Sequence, residues 1–277
     1  MKIITSLSQK TIKKRNSSFK LNSWKLGLFL LFTLLPFLPV QAHQEQDEYM
    51  MDLYSYNEEM RTIVETTINA LGGNKNVRKL GAYSSTGVIT FEGGQQTEFD
   101  YYFLKEAWAK LDFRKEGREV SISVFGNNGW LREKELDDEV PNIREMKGTD
   151  LLDMRFSFTY ENNLFDYSWK GLELFYEGEI QIGNKKGWVL RLSGFDFGEE
   201  VYYISKEDYR PFMKQVYLFQ KDGQKVVDYT IDEYLEHGDV WLPKKVTISS
   251  PHQNISLDFL SYTTNEKLSK DFFKKAY

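Results

Sequence analysis

Residues 230–248 read TIDEYLEHGDVWLPKKVTI, two strand-like runs joined at Gly238-Asp239. A Gly-Asp pair between runs rich in Thr, Ile, Tyr, Val and Leu is the signature of a hairpin. Such runs recur on both sides. LELFYEGEI, GWVLRLS, EVYYIS, PFMKQVYLF and KVVDYTIDEYLE lead up to the turn, and LPKKVTISS and NISLDFLSY follow it. Between Tyr83 and Glu133, YSSTGVITFE, TEFDYYFL, AWAKLDFR, REVSISVF and GWLRE alternate in the same way, with turn residues about every ten positions. The count is about a dozen strands. Their connections are short, so neighbours are expected to be antiparallel.

Two segments break this pattern. Met60, Ile63, Val64, Ile68 and Leu71 follow one another at helical spacing, with a Ser55/Glu58 capping pair before them and Gly72-Gly73 after. At mid-chain, residues 137–169 show no clean alternation. There Thr149 is placed to cap a helix carrying Leu151, Leu152, Met154, Phe156 and Phe158, apolar nearly all round. The fold class is therefore mainly β (α+β), one domain with a leading helix and a helical insertion.

The hairpin holds acids, a histidine and aromatics, so a catalytic reading needs weighing. Cysteine is absent, which excludes disulfides, thiol nucleophiles and Cys-ligated zinc. The only histidines are His43, His237 and His252; no two have metal-ligand spacing, and the last two fall in predicted turns. No GxSxG elbow supports a serine triad. Asp137-Asp138-Glu139, Glu199-Glu200 and Asp232-Glu233 could furnish paired carboxylates. Adjacent residues on an unbulged strand point to opposite faces, however, and 41 acids in 277 residues make such pairs common; they are read as solvated. No catalytic residue, metal or cofactor is expected.

The apolar alternation carries more. Ala107, Ala109, Leu111 and Phe113 share a face; so do Val120, Ile122 and Val124, then Trp188, Leu190 and Leu192, then Ile255, Leu257 and Phe259. The opposite positions, Lys110, Asp112, Glu119, Ser121 and Ser123 among them, read as the wet face. A sheet this long tends to curl on itself, and its inner face can be either a filled core or the wall of a ligand cavity.

The order of elements resembles a known family. A helix ending in ALGG (Ala70–Gly73), a Y-x-x-x-G strand (Tyr83–Gly87), GNNGWL (Gly126–Leu131), YYISKEDYRPFMKQVY (Tyr202–Tyr217) and the closing YTIDEYLEHGDVWLPKKVTI (Tyr229–Ile248) are similar to the periplasmic outer-membrane lipoprotein-sorting proteins, the LolA/LolB-like superfamily. The likeness runs from about residue 57 to 262. It implies a curved, incompletely closed antiparallel β-barrel, with the mid-chain helix (Leu151, Leu152, Met154, Phe156) lidding an apolar cavity walled by the residues of the shared faces apart from Ala107. It further implies a carrier or sensor of lipoprotein acyl chains or lipid, with envelope proteins as donor and acceptor. By the same implication the hairpin is scaffold, and Tyr229 and Tyr234 need no chemical role. An arginine that holds the lid in such carriers has no aligned counterpart, although Arg114 and Arg118 lie in the region. A secreted hydrolase using surface carboxylates, or an envelope protein with a filled barrel, are the alternatives.

The N-terminus reads as an export signal. Seven basic residues and no acid precede or flank the apolar run Leu26–Val40, which ends in VQA. Fifteen residues with Pro36 and Pro39 are short for a spanning helix, so cleavage after Ala42 is expected. Residues 43–56 then form an acidic leader and 57–277 the lipid-binding domain, exported to the periplasm. Without its first 42 residues the chain has 29 basic against 41 acidic residues, net −12, which disfavours nucleic acid as a partner.

Overall fold

The structure, a computed structural model, describes residues 58–105, 108–221, 223–251, 253–264 and 267–274. The expected signal, the leader, the Ser55 cap, Ala107 and His252 lie outside the described residues. Helix α1 (58–70) and α2 (Asn74–Lys79) lead into β1 (Ala82–Phe91), β2 (Gln96–Leu104), β3 (Trp108–Lys115), β4 (Arg118–Phe125), β5 (Asn128–Glu135) and β6 (Asn142–Met146). Helix α3 (Gly148–Phe158) and a 3-10 turn (Asn163–Phe165) come next. Then follow β7 (Glu173–Ile182), β8 (Lys185–Phe195), β9 (Gly198–Ser205), β10 (Pro211–Gln220), β11 (Gly223–His237), β12 (Val240–Ser249), β13 (Asn254–Thr264) and α4 (Lys270–Lys274).

All thirteen strands form one sheet in the order β6-β5-β4-β3-β2-β1-β13-β12-β11-β10-β9-β8-β7. Every described neighbour pair is antiparallel. The sheet is an incomplete barrel: β6 and β7 are its two edges and no ladder joins them among the described residues. Its seam joins β1 to β13, so the first and last strands of the sequence lie at the centre of the sheet. That pairing shifts register at Thr86/Gly87. Gly87 faces Phe99, and a Cβ there would overlap the Phe99 ring and the Asp258 carbonyl; the missing side chain lets Phe99 reach Phe259 edge-on at 5.2 Å.

The quoted stretch is the β11–β12 hairpin, its last pair His237↔Val240. It does more than pair strands. Gly72, at φ +114°, lies so close to the Asp239 carbonyl that only glycine fits, and Trp241 N–H donates to the Leu71 carbonyl at 3.1 Å. The Arg210 guanidinium donates to the Ala70 carbonyl (3.2 Å) and stacks 3.8 Å over Trp241. A cation thus completes the carbonyl end of α1, where the helix dipole favours it.

Two apolar clusters hold the fold. The larger takes the inner faces of β1–β5 and β10–β13 together with Leu151, Phe156 and Phe158 of α3. The smaller puts Ile63 and Val64 of α1 and Leu164 of the 3-10 turn against Leu190, Leu192, Tyr202 and Ile204.

Four features differ from the sequence reading. Strand β6 lies in the segment that showed no alternation: it is a five-residue edge strand, exposed except at Met146, so only one of its sides had to be apolar at all. Helices α2 and α4 had no counterpart in the reading. Helix α3 starts earlier than expected, with Lys147 at its N-cap and no side-chain cap, so Thr149 sits in its first turn. The outer face is not uniformly wet either. Ser121 and Ser123 are buried, Ser123 because α4 lies across β3 and β4: Ser123 Oγ and Trp130 Nε1 both donate to the Phe273 carbonyl, at 2.8 and 2.9 Å.

Candidate functional site

The inner face brings together nine of the twelve residues expected to wall a cavity: Ala109, Leu111, Phe113, Val120, Ile122, Val124, Ile255, Leu257 and Phe259 belong to one buried cluster. Register explains it. Leu111 sits opposite Ile122, and Phe113 opposite Val120 and Phe99. Trp188, Leu190 and Leu192 fall in the second cluster, beneath α1. Of the four lid positions, Leu151 and Phe156 are buried in the main cluster, with Leu152 and Met154 partly buried against it. Phe158 stacks on Phe113 at 6.1 Å, and Phe156 meets Phe197 at 4.8 Å. Helix α3 thus packs against the main cluster, beside β4 and β12.

Helix α3 is held by few polar contacts. The Tyr229 hydroxyl donates to the Phe156 carbonyl, and Asp153 accepts from Gln220 (3.0 Å) and Lys225 (3.1 Å). Arg144 reaches Asp150 at 2.9 Å, both side chains more than half exposed. Burial holds the Tyr229 phenol well above its ordinary value, so it stays a neutral donor.

The chain from α3 back to the sheet, residues 159–172, carries a polar network that apolar pattern reading passed over. Lys214, on the inner face of β10 between Phe212 and Val216, is 1 % exposed. Its ammonium pairs with Glu200 (2.9 Å, 0 % exposed) and donates to the Glu161 carbonyl (2.7 Å). The rings of Tyr160, Tyr202 and Tyr229 surround it at about the same distance, 5.5, 5.5 and 5.4 Å. Glu200 also accepts two bonds from Asn163 Nδ2 and one from the Tyr202 hydroxyl. Glu161 in turn accepts from Arg155 (2.9 Å) and Lys170 (3.0 Å). Burial pushes the Glu161 carboxyl up, but Lys170, Arg155 and Lys214 outweigh it and hold the group below its ordinary value.

Three voids meet at Glu161. One, of about 120 Å³, opens between α1, α2 and the β11–β12 hairpin and is walled by Tyr83, Phe103, Tyr160, Tyr234, Trp241 and Leu242. A groove of about 760 Å³ runs between α3 and the β8–β9 turn, past Leu151, Leu152, Phe156, Leu172, Phe195 and Phe197. A gap of about 10 Å³, the size of one water, lies between them at Tyr101, Arg155 and Tyr160. The hairpin is therefore more than scaffold, since Tyr234, Trp241 and Leu242 wall one void.

The remaining candidates separate. Glu200 is not solvated but fully buried and paired, whereas Glu199 pairs with Arg191 at 3.0 Å on the other face. A bulge between Ile231 and Tyr234 turns Asp232 and Glu233 both outward, where Glu233 meets Lys244 at 2.6 Å. Asp137, Asp138 and Glu139 are exposed. His237 ends β11 and shares a 3.0 Å hydrogen bond with Thr264. Arg114 and Arg118 pair with Glu119 and Glu135 away from α3, with at least half of each arginine side chain exposed. No pair of these acids faces a common cavity.

No family model matches the chain, and no curated protein does. Solved structures do. A DUF1329 family protein from Desulfovibrio piger aligns with TM-score 0.50 and 11% identity over 77% of this chain and 96% of that one. A LolA superfamily protein from Nitrosomonas europaea gives 0.49 and 11% over 78% and 97%. A putative outer membrane lipoprotein-sorting protein domain from Vibrio parahaemolyticus gives 0.43 and 12% over 78% and 96%. What the first of these likenesses shows is the fold.

Proposed function

We propose that the chain is a carrier or sensor that takes up an acyl chain, of a lipoprotein or a free lipid, in the interior of the open barrel. It would work in the periplasm after cleavage behind Ala42, in outer-membrane lipoprotein sorting, receiving cargo from one envelope protein and passing it to another. The observation that carries this is the inner face itself: an apolar surface spread over nine strands and broken by the buried Lys214, with α3 packed against it among the described residues. An acyl chain of about sixteen carbons costs some 13 kcal/mol to expose at roughly 0.8 kcal/mol per methylene, so a carrier in water must enclose it. The groove of about 760 Å³ lies within the usual range of ligand pockets. Displacing α3 would extend it along Phe113, Val120 and Ile122. The twelve wall residues then divide by role: nine line the path and Trp188, Leu190 and Leu192 hold α1 in place.

A binding role also suits the acids of the three sequence clusters, Asp137-Asp138-Glu139, Glu199-Glu200 and Asp232-Glu233, which the geometry scatters. Native mass spectrometry of the exported protein tests the reading: co-purifying lipid is expected, released when α3 is destabilised. A protein that carries no lipid as purified and takes up none when offered would overturn the reading in favour of the filled-barrel or hydrolase alternatives.

A further inference from the structure

We infer that the junction of Arg155, Lys170 and Tyr101 is a site for the carboxylate head of a single-chain amphiphile, and that Glu161 occupies it in cis. This rests on the proposed acyl-chain binding and adds the chemistry of the head group.

Four observations converge. Glu161 lines all three voids, the point an amphiphile lying in the groove would reach with its head. Its carboxylate takes two charge-assisted bonds, from Arg155 Nη2 and Lys170 Nζ. Arg155 keeps Nε and Nη1 without a hydrogen bond among the described residues, enough for a second carboxylate. The Tyr101 hydroxyl, on a residue only 3 % exposed, makes no hydrogen bond among the described residues and lines the small gap with Arg155 and Glu161. A buried donor left unmade is costly, and a ligand oxygen in that gap would satisfy it.

Charge agrees. The network sets the cations of Arg155, Lys170 and Lys214 against the anions of Glu161 and Glu200, one positive in excess. Asp166 and Asp196 line the outer voids, and Asp196 is exposed to solvent. If the Glu161 side chain swings out, a ligand carboxylate takes its place against Arg155 and Lys170. The backbone need not follow, because the Glu161 carbonyl is bonded to Lys214 independently of its side chain.

Laurate and 1-dodecanol, which share a chain and differ in the charge of the head, are the probes, titrated calorimetrically against the full exported protein after delipidation. Glu161→Gln should raise laurate affinity about 10-fold by removing the competing carboxylate, with dodecanol changed less than about 2-fold. Arg155→Met should lower laurate affinity about 10-fold and spare dodecanol. Lys170→Gln is the second variant should Arg155→Met melt early. Equal changes for both ligands, or laurate binding indifferent to both cation variants, would overturn the head-group site while leaving the acyl-chain reading intact. If neither ligand binds any variant, the acyl-chain reading falls and this inference with it.

Discussion

Lys214→Met leaves the Glu200 carboxylate in the interior with Asn163 and Tyr202 as its remaining partners, and it frees the Glu161 carbonyl. Breaking a buried pair from one side costs about 3–5 kcal/mol, so the urea midpoint should fall sharply. The double variant Lys214→Met/Glu200→Leu should recover much of that loss; a double variant no better than the single would mean the lysine acts by something other than pairing. Glu161 gives a pH signature. Its folded pKa lies below the ordinary 4.5, so its contribution is present in full above that value and disappears as pH falls through the lower folded one. Urea unfolding from about pH 6 down to about pH 3 should show Glu161→Gln approaching wild type at the acid end; a gap that stays constant would refute the coupling. The pair was legible in the sequence. In PFMKQVYLF, Lys214 holds an inward position between Phe212 and Val216, and Glu200 shares a face with Tyr202 and Ile204. Reading alternation for apolar residues alone passed over Lys214 and left Glu200 among the solvated acids. What no sequence pattern could supply is the register Val216↔Glu200 and Lys214↔Tyr202 that makes them diagonal neighbours.

At the scale of elements, α4 shows what periodicity cannot see. Five residues are far too few to form a helix in isolation; this one exists because Phe273, fully buried, fills the outer face beside Trp108 at 6.0 Å and its carbonyl satisfies Ser123 and Trp130. Phe273→Ala should therefore cost about 3–5 kcal/mol and shift tryptophan emission to the red as Trp108 and Trp130 meet water. Unchanged emission with unchanged stability would mean that α4 is not docked in solution. The β11–β12 hairpin stands at the other extreme. Its turn chemistry and its alternation agreed, so its strands and turn could be read from nineteen residues. Its bulge, its glycine contact with α1 and the inward Tyr234 could not, because each depends on an element far away in the chain. Strand β6 went unread for a third reason: an edge strand with a single buried residue, Met146, writes no period.

The whole molecule poses one question that a single carboxylate can answer: whether the inner face is a wall or a solid core. Ile122 is 3 % exposed, opposite Leu111 and Leu131 on strands flanking its own, and α3 packs over this strand. Ile122→Glu buries an acid with no partner, at a cost of several kcal/mol unless water reaches it. In a barrel whose lid can lift, α3 detaches, the sheet persists and the acid is hydrated. The variant should then melt several degrees lower in one transition, keep its β-sheet signal, exchange its α3 amides quickly and carry no lipid. In a barrel whose interior is an obligate core, helix and sheet fail together. The control has to be chosen from the structure. Ser123→Glu is unsuitable, since Ser123 lies under α4, whereas Thr230 points outward from β11 and is exposed, so Thr230→Glu should change neither melting nor lipid content. A folded Ile122→Glu protein that holds lipid like wild type would remove β4 from the path. Global unfolding of Ile122→Glu would instead make α3 a permanent part of the core, and confine any cargo to the groove between α3 and the β8–β9 turn.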